Sequence, residues 1–361
     1  MSQPFLEHIL AASASQGARA AARPEASDFD TALTFGDVPA EYRAGIEGSC
    51  LFEAVDRERL IVSGGDALGF LHRLLANDVR SLAIGEGNRN LLLSAKGKVL
   101  FDFELARFEE RLELSTPPGQ GQKLAAALDM YLFSEDVKIE EASQEHRPLE
   151  LGGPGALETI GRLFPGFEAT PAHAPREVLW NASSVHVTQL PVAGAPGFRL
   201  DAGAEAAALW TALVGSGALP AGLVARDMLR VERGAALFGV DVDENIYPQE
   251  ARLGDAFSLE KGCYIGQEVV AKIETYGGLN KRLEALAVDG DEPIPRGTKL
   301  LLGEANDVRE LGLVTTWAYS FVLDSGCVLA YVKRKHQTPG TRFVLGDTGF
   351  EGTLVELPIA R

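Results

Sequence analysis

Residues 225–250 read ARDMLRVERGAALFGVDVDENIYPQE, and residues 259–283 read LEKGCYIGQEVVAKIETYGGLNKRL. In the first stretch, 225–239 has apolar residues at helical spacing and runs to a glycine, so the pattern predicts a helix ending at Gly239. Arg226 and Arg230 are four apart and share a face of that helix. Two guanidiniums on one face need an anion between them. Asp227 and Glu232 can supply it from within the chain, or a bound carboxylate can, because arginine offers a planar fork of donors. The loop that follows carries Asp241, Asp243, Glu244, Glu250, Asp255 and Glu260. An EF-hand requires glycine at its sixth position, where Ile246 stands, so no calcium site is expected, and Pro248 marks an ordered loop rather than a helix. Four basic residues face eight acidic ones over 225–260, whereas four face two over 261–282. The sign of the local charge reverses at Lys261.

The reversal coincides with the octet KGCYIGQE, 261–268. Cys263 follows Lys261 by two positions, lies between glycines and precedes a predicted helix. An ammonium and a helix N-terminus both favour thiolate, and Gly262 leaves the sulfur accessible. Free cysteines are ordinarily small buried hydrophobes, but Lys, Gly, Gln and Glu do not build an apolar wall. Cys50 and Cys327 sit in strand-like segments and read as structural. Three widely spaced cysteines make no disulfide framework and suit a reducing cytoplasm. With no CxxC and six scattered histidines, no metal site is expected.

Further out, 50–79 reads strand, turn, helix, with Gly64-Gly65 at the turn and Asp66 as N-cap. It matches neither GxGxxG nor GxxxxGK[ST], so it is not a phosphate loop. Residues 88–116 form an antiparallel meander in which Asp102, between Phe101 and Phe103, is expected to face a cleft. Helices are expected over 120–132 and 203–216, a strand over 136–142, and several short strands within 143–200. From Leu283 onward six short strands alternate with Gly, Pro and Asp turns, which predicts a small β-barrel and a boundary near 280. The apolar stretch 311–332 is broken by Asp324 and Gly326 and reads as a hairpin. No run of about 18 apolar residues is present, so no membrane span is expected. A net charge of −17 disfavours a nucleic-acid coat. KRKH, 333–336, reads as a solvated turn, so direct RNA binding is not expected. The N-terminus lacks the basic start and apolar core of a secretory signal and reads as a short helix followed by a mobile lead-in.

Together with LGLVTT and VLAYVKR near the C-terminus, these segments resemble the YgfZ-type folate-binding proteins, relatives of the glycine-cleavage T-protein, an aminomethyltransferase. The resemblance runs from about residue 40 to the end. It implies an α+β fold: a T-protein-like folate-binding region of two interlocked subdomains over 40–280, after the lead-in 1–39, closed by a C-terminal β-barrel over 281–361. It implies tetrahydrofolate, or a one-carbon derivative, as cofactor, with Arg226, Arg230, Asp102, Lys261 and Tyr264 as contacts. The motif residues are Lys261, Gly262, Cys263, Tyr264, Gly266, Gln267 and Glu268, with Cys263 and Asp102 as the functional pair. The implied role is cytoplasmic support of iron–sulfur client enzymes, tRNA-modifying ones among them. The alternative is the T-protein reaction itself, transfer of a methylene group from a lipoyl-borne aminomethyl group to tetrahydrofolate. T-proteins carry Gly-Gly-x-x-Asp-Asp where this chain has Gly97-Lys98-Val99-Leu100-Phe101-Asp102, so one of the two carboxylates is replaced. They carry Gly-Glu-x-Gly-Phe-Glu where it has Gly194-Ala195-Pro196-Gly197-Phe198-Arg199, so both are replaced. These losses favour the YgfZ-type branch.

Overall fold

The computed structural model describes residues 19–23, 26–54, 57–143, 146–302 and 308–359. Two compact units emerge, each built from non-contiguous segments. The first takes the chain up to Leu92, Phe101–Arg226 and Ala256–Ile265. Its β1 (Arg19–Arg23) and β2 (Ala26–Thr34) form an antiparallel hairpin where the sequence suggests a mobile lead-in. The reason lies in non-local ties: Thr31 and Ala32 are buried, and the Thr31 hydroxyl donates to the carboxylate of Glu53. The helix expected before the hairpin falls on residues 1–18, outside the described ones. After α1 (Val38–Glu47), β3 (Cys50–Glu53) and β4 (Glu58–Ser63), the Gly64 turn leads into α2 (Ala67–Leu74). Gly64 has φ +111°, and a Cβ there would lie 2.2 Å from the carbonyl oxygen of Asp136. Asp66 occupies the N-cap, yet its carboxylate accepts from the backbone N–H of Asp136 instead of from the helix.

Two sheets organise this unit. One has the order β5 (Gly87–Leu93), β6 (Val99–Arg107), β7 (Arg111–Thr116), β4 and β8 (Lys138–Glu141). Period-2 alternation puts Leu60, Val62, Leu112 and Leu114 on one face, against Phe70 and Leu71 of α2 and Leu124 and Leu128 of α3 (Gly121–Asp129). The other has six strands in the order β10 (Pro175–Trp180), β11 (Ser183–Val192), β12 (Ala195–Asp201), β9 (Pro148–Gly152), β3 and β13 (Leu219–Pro220), the last pair parallel. Here α4 (Ala156–Leu163) and α5 (Ala206–Gly215) bring Ile160, Leu209 and Leu213 onto Leu149, Leu151, Val185 and Leu200. Ion pairs tie the two sheets together. Arg199 of β12 donates to Glu150 of β9 at 2.8 Å and to Glu104 of β6 at 3.2 Å, while Arg57 pairs with Glu104 and Arg226 with Glu150.

The helix predicted over 225–239 is α6 (Leu223–Arg233), and it ends at Gly234, not Gly239. Gly234 adopts φ +70°, and the N–H of Ala235 bonds back to the carbonyl of Arg230, which closes the helix at the first available glycine. The second unit takes Leu93–Leu100, Asp227–Asp255 and Gly266–Arg361. It contains α7 (Gln267–Tyr276) and six strands, β14 (Lys281–Val288), β15 (Lys299–Leu302), β16 (Arg309–Ser320), β17 (Ser325–Lys333), β18 (Arg342–Leu345) and β19 (Glu351–Val355). These close into a barrel in the order β14-β17-β16-β15-β18-β19, as the alternation predicts. Leu286, Leu300, Val328, Val332, Phe343 and Leu354 fill it. The acidic loop is ordered around an arginine: Arg230 donates to Asp227 at 2.6 Å, to the fully buried Asp241 at 2.7 Å and to the Thr316 hydroxyl at 3.2 Å.

The Arg199 cluster has a measurable cost of disruption. Arg199→Leu strands buried carboxylates and is expected to lower unfolding stability by about 3–5 kcal/mol in urea denaturation. Burial works against ionisation of Glu150, but Arg226, Arg199 and Arg57 outweigh it and bring its pKa from 4.5 down to about 2. The folded state therefore binds fewer protons than the unfolded one, and stability falls as pH drops from about 4.5 to about 2. That acid-side slope is expected to flatten in Arg199→Leu.

Candidate functional site

The Cys263 segment is fixed by a helix end distant in sequence. The last carbonyls of α2 and the turn after it have no intrahelical donors. The Lys261 ammonium fills that need, donating to the carbonyl oxygens of His72, Leu75 and Asn77, the last at 3.3 Å. Lys261 thus spends its N–H groups on backbone oxygens, where the sequence suggests a partner for the thiol. Burial pushes its pKa down to about 8, with Asp78 opposing that shift and Arg80 adding to it.

Cys263 itself is exposed, whereas Cys50 and Cys327 are buried, as expected for structural thiols; burial also pushes the Cys327 thiol well up. Together with Lys261 and Gly262, it lines an open cavity of about 620 Å³ whose other wall comes from α2 and the loops after it. That wall contributes His72, Arg73, Arg80 and Glu135. His72 lies 3.2 Å from Asp78 and is held below its ordinary pKa mainly by burial, with Lys261 adding to the effect. Arg73 pairs with Glu135 at 2.7 Å. The backbone N–H of Phe133, Arg73 and the N–H of Ser134 bring Glu135 down to about 2. The thiol therefore opens on a polar, solvated surface with cations and an imidazole nearby. Sequence reading found the cysteine but not this wall, because α2 reads locally as scaffold; the one available clue was a helix end without its own donors.

The octet's glycines have distinct tasks. Gly266 takes φ +81° as N-cap of α7, and a Cβ there would stand 2.5 Å from the Ser94 oxygen and 2.9 Å from Gly97 Cα. Gly262 has φ +96° with open space around it. Gln267 and Glu268 begin α7, Glu268 in its acidic first turn. Cys263 thus precedes the helix by more than its cap. Tyr264 is buried, its ring centroid is 5.3 Å from the Lys261 nitrogen, and its hydroxyl has no hydrogen-bond partner among the described residues. Burial pushes that hydroxyl up to about 12.

None of the remaining expected residues lines the thiol's cavity. Asp102 is buried, as its aromatic neighbours suggest, but it is held by Arg89 through two hydrogen bonds, one of 2.9 Å. Arg226 and Arg230 are each already ion-paired within the chain. Arg226 pairs with Glu150 and stacks 5.6 Å from the Phe52 centroid, and Arg230 is sequestered by Asp227 and Asp241. Arg230 is 5% exposed and directs most of its donors to protein oxygens, so a ligand role does not suit it. Arg226 keeps about a fifth of its side chain exposed, 22%, with N–H groups beyond the one given to Glu150. Among the described residues no group of three or more His, Cys, Asp or Glu could hold a metal ion.

The GCVT N-terminal domain family matches residues 12–261, and the glycine cleavage T-protein C-terminal barrel domain family matches residues 281–359. The chain belongs to the T-protein family. Curated relatives of this family include the aminomethyltransferase of Herpetosiphon aurantiacus, 29% identical over 314 residues, with 86% of this chain and 85% of the relative covered. That of Chlorobium limicola is 28% identical over 342 residues, covering 91% and 92%. The crystal structure of the glycine cleavage system aminomethyltransferase T from Bartonella henselae superposes with TM-score 0.85 over 98% of this chain and 97% of that one, at 24% identity, and so shares the T-protein fold.

Two measurements check the site's architecture. A nitrogen-detected NMR titration is expected to place the Lys261 midpoint near pH 8, below its ordinary value of 10.5; across that window the unfolded chain carries a proton that the folded one lacks, so stability rises with pH. Gly266→Ala is expected to cost about 1–3 kcal/mol in denaturant unfolding through its left-handed backbone and close contacts.

Proposed function

We propose that the chain is a tetrahydrofolate-binding protein that uses the Cys263 thiol to support the assembly or repair of iron–sulfur enzymes, as the YgfZ-type branch of the T-protein superfamily does. The observation that carries this reading is the exposed Cys263 on a polar cavity wall, within an octet whose glycines and lysine hold it there. The donor set suits a folate. Arg226 has N–H groups to offer an anionic glutamate tail, and the unpartnered Tyr264 hydroxyl suits a polar ring edge. When bound, tetrahydrofolate supplies the nitrogens that carry one-carbon groups. The chain's own residues bind and orient it, while Cys263 remains accessible to a protein client. The carboxylates that T-proteins place near the reacting nitrogens are missing: Phe101 packs against the apolar core, and Arg199 is committed to Glu104 and Glu150. The remaining one, Asp102, is neutralised by Arg89.

A second reading is aminomethyl transfer to tetrahydrofolate. The relatives favour it over the first, since those named above are aminomethyltransferases aligned over most of their length. The retained Asp102 would then be essential.

Calorimetric titration with tetrahydrofolate is expected to show saturable binding; its absence removes the cofactor from both readings. In cells lacking the native protein, Cys263→Ala is expected to fail to restore an iron–sulfur enzyme's activity, while Asp102→Asn restores it. Folate turnover with a lipoylated aminomethyl donor, abolished by Asp102→Asn but untouched by Cys263→Ala, establishes the second reading instead.

A further inference from the structure

The first unit contains a cavity remote in chemistry from the thiol. Both of its sheets wall it, and its volume is about 70 Å³, several times the ~10–15 Å³ that a single water requires. His146 lines it and is 5% exposed. The His146 Nδ1 lies 2.6 Å from the Asp201 carboxylate. The other Asp201 oxygen accepts from the N–H groups of Arg147 at 3.0 Å and Gly203 at 3.2 Å. Burial opposes ionisation of Asp201, but the His146 contact, the Arg147 N–H and Arg59 hold its pKa well below the usual range. Burial likewise keeps His146 below its ordinary pKa against the pull of Asp201. A neutral imidazole beside an ionised carboxylate donates through Nδ1 and leaves Nε2 as an acceptor. That Nε2 is buried and has no partner among the described residues.

Arg59 lines the same cavity and supplies the complement. Its terminal nitrogen lies 3.4 Å from Asp201 and 3.7 Å from Glu113, and its Nε–H is buried without a partner among the described residues. One carboxylate thus orients both an unsatisfied acceptor and an unsatisfied donor. Between them the walls include the apolar side chains of Leu105, Phe108, Pro175 and Leu190. Ser115, His173, His186 and Thr188 add polar edges to the walls, while His146 Nε2 and Arg59 Nε are anchors with no partner among the described residues. A head group that donates and accepts, joined to a short apolar body, satisfies both anchors and walls. Each carboxylate on the walls already has a guanidinium partner, Glu104 in Arg57 and Arg199, Glu113 in Arg59 and Arg111, and Asp201 in Arg59, which leaves none of them for a cationic ligand to pair with.

We propose that this cavity is a binding site for a small uncharged organic molecule with a carboxamide or hydroxyl head group, held by His146 Nε2 as acceptor and Arg59 Nε as donor. The site is separate from Cys263 and does not depend on folate binding.

Propionamide and 1-propanol serve as probes for the two head groups. In ¹⁵N-labelled protein, titration with either probe at neutral pH is expected to move the His146 Nε2 resonance saturably. Saturation transfer from protein to the probe's methyl protons is expected to follow the same binding curve. His146→Phe keeps the ring and removes the acceptor, and it is expected to weaken binding about tenfold, the worth of one buried hydrogen bond. Leu190→Trp fills the void while leaving both polar groups in place and is expected to abolish binding. An Nε2 resonance in the unmodified protein that stays put with both probes, or a His146→Phe variant that binds them as well as the unmodified protein, overturns the proposal. A structure solved at high probe concentration that shows only water in the cavity also overturns it.

Discussion

Arg199 stands between two carboxylates that come from different sheets, and the first unit depends on that geometry. Taking Glu104, Glu150 and the guanidinium out of water is costly, and it is recovered only because every charge has partners: Arg57 completes Glu104 and Arg226 completes Glu150. The arrangement also explains why an arginine suits position 199 and a carboxylate does not. With Glu104 and Glu150 so close, a third carboxylate at 199 would be held against two like charges in a low-dielectric setting. The arginine at 199 is therefore what lets the two sheets close on each other.

The barrel was legible because its strands are local statements: alternation of apolar residues, then a Gly, Pro or Asp turn, six times over. The meander and most helices were legible for the same reason. The exposure of Cys263 could be read from its neighbours, since none of them builds an apolar wall. Features set by distant partners were not legible. The hairpin at 19–34 is tied down through Thr31 and Glu53. The partner of Arg226 is 76 residues away, and that of Arg230 is half local, in Asp227, and half not, in Asp241. Glu232, the other local carboxylate, serves the Ser320 hydroxyl instead. The end of α6 was misread for a simpler reason: two glycines lie five residues apart, and the nearer one suffices.

The two polar cavities of the first unit differ in the way their charges are settled. Around Cys263 the arginines Arg73 and Arg80 are exposed and solvent shares the work, so their pairings are loose and replaceable. Around His146 the groups are buried, and each unsatisfied atom stays unsatisfied until something enters. The first arrangement suits a surface that meets changing macromolecular partners. The second suits selection of one shape.

The lysine that anchors the cysteine segment gives its hydrogen bonds to main-chain oxygens, those of His72, Leu75 and Asn77. Every residue type has such an oxygen. The lock is therefore indifferent to which side chains occupy the end of α2, provided that the helix still ends there. Mutational drift can recolour the wall of the thiol's cavity, altering its charge and its choice of partner, without moving the thiol. Recognition and placement are written in different parts of the chain, and only one of them is free to change.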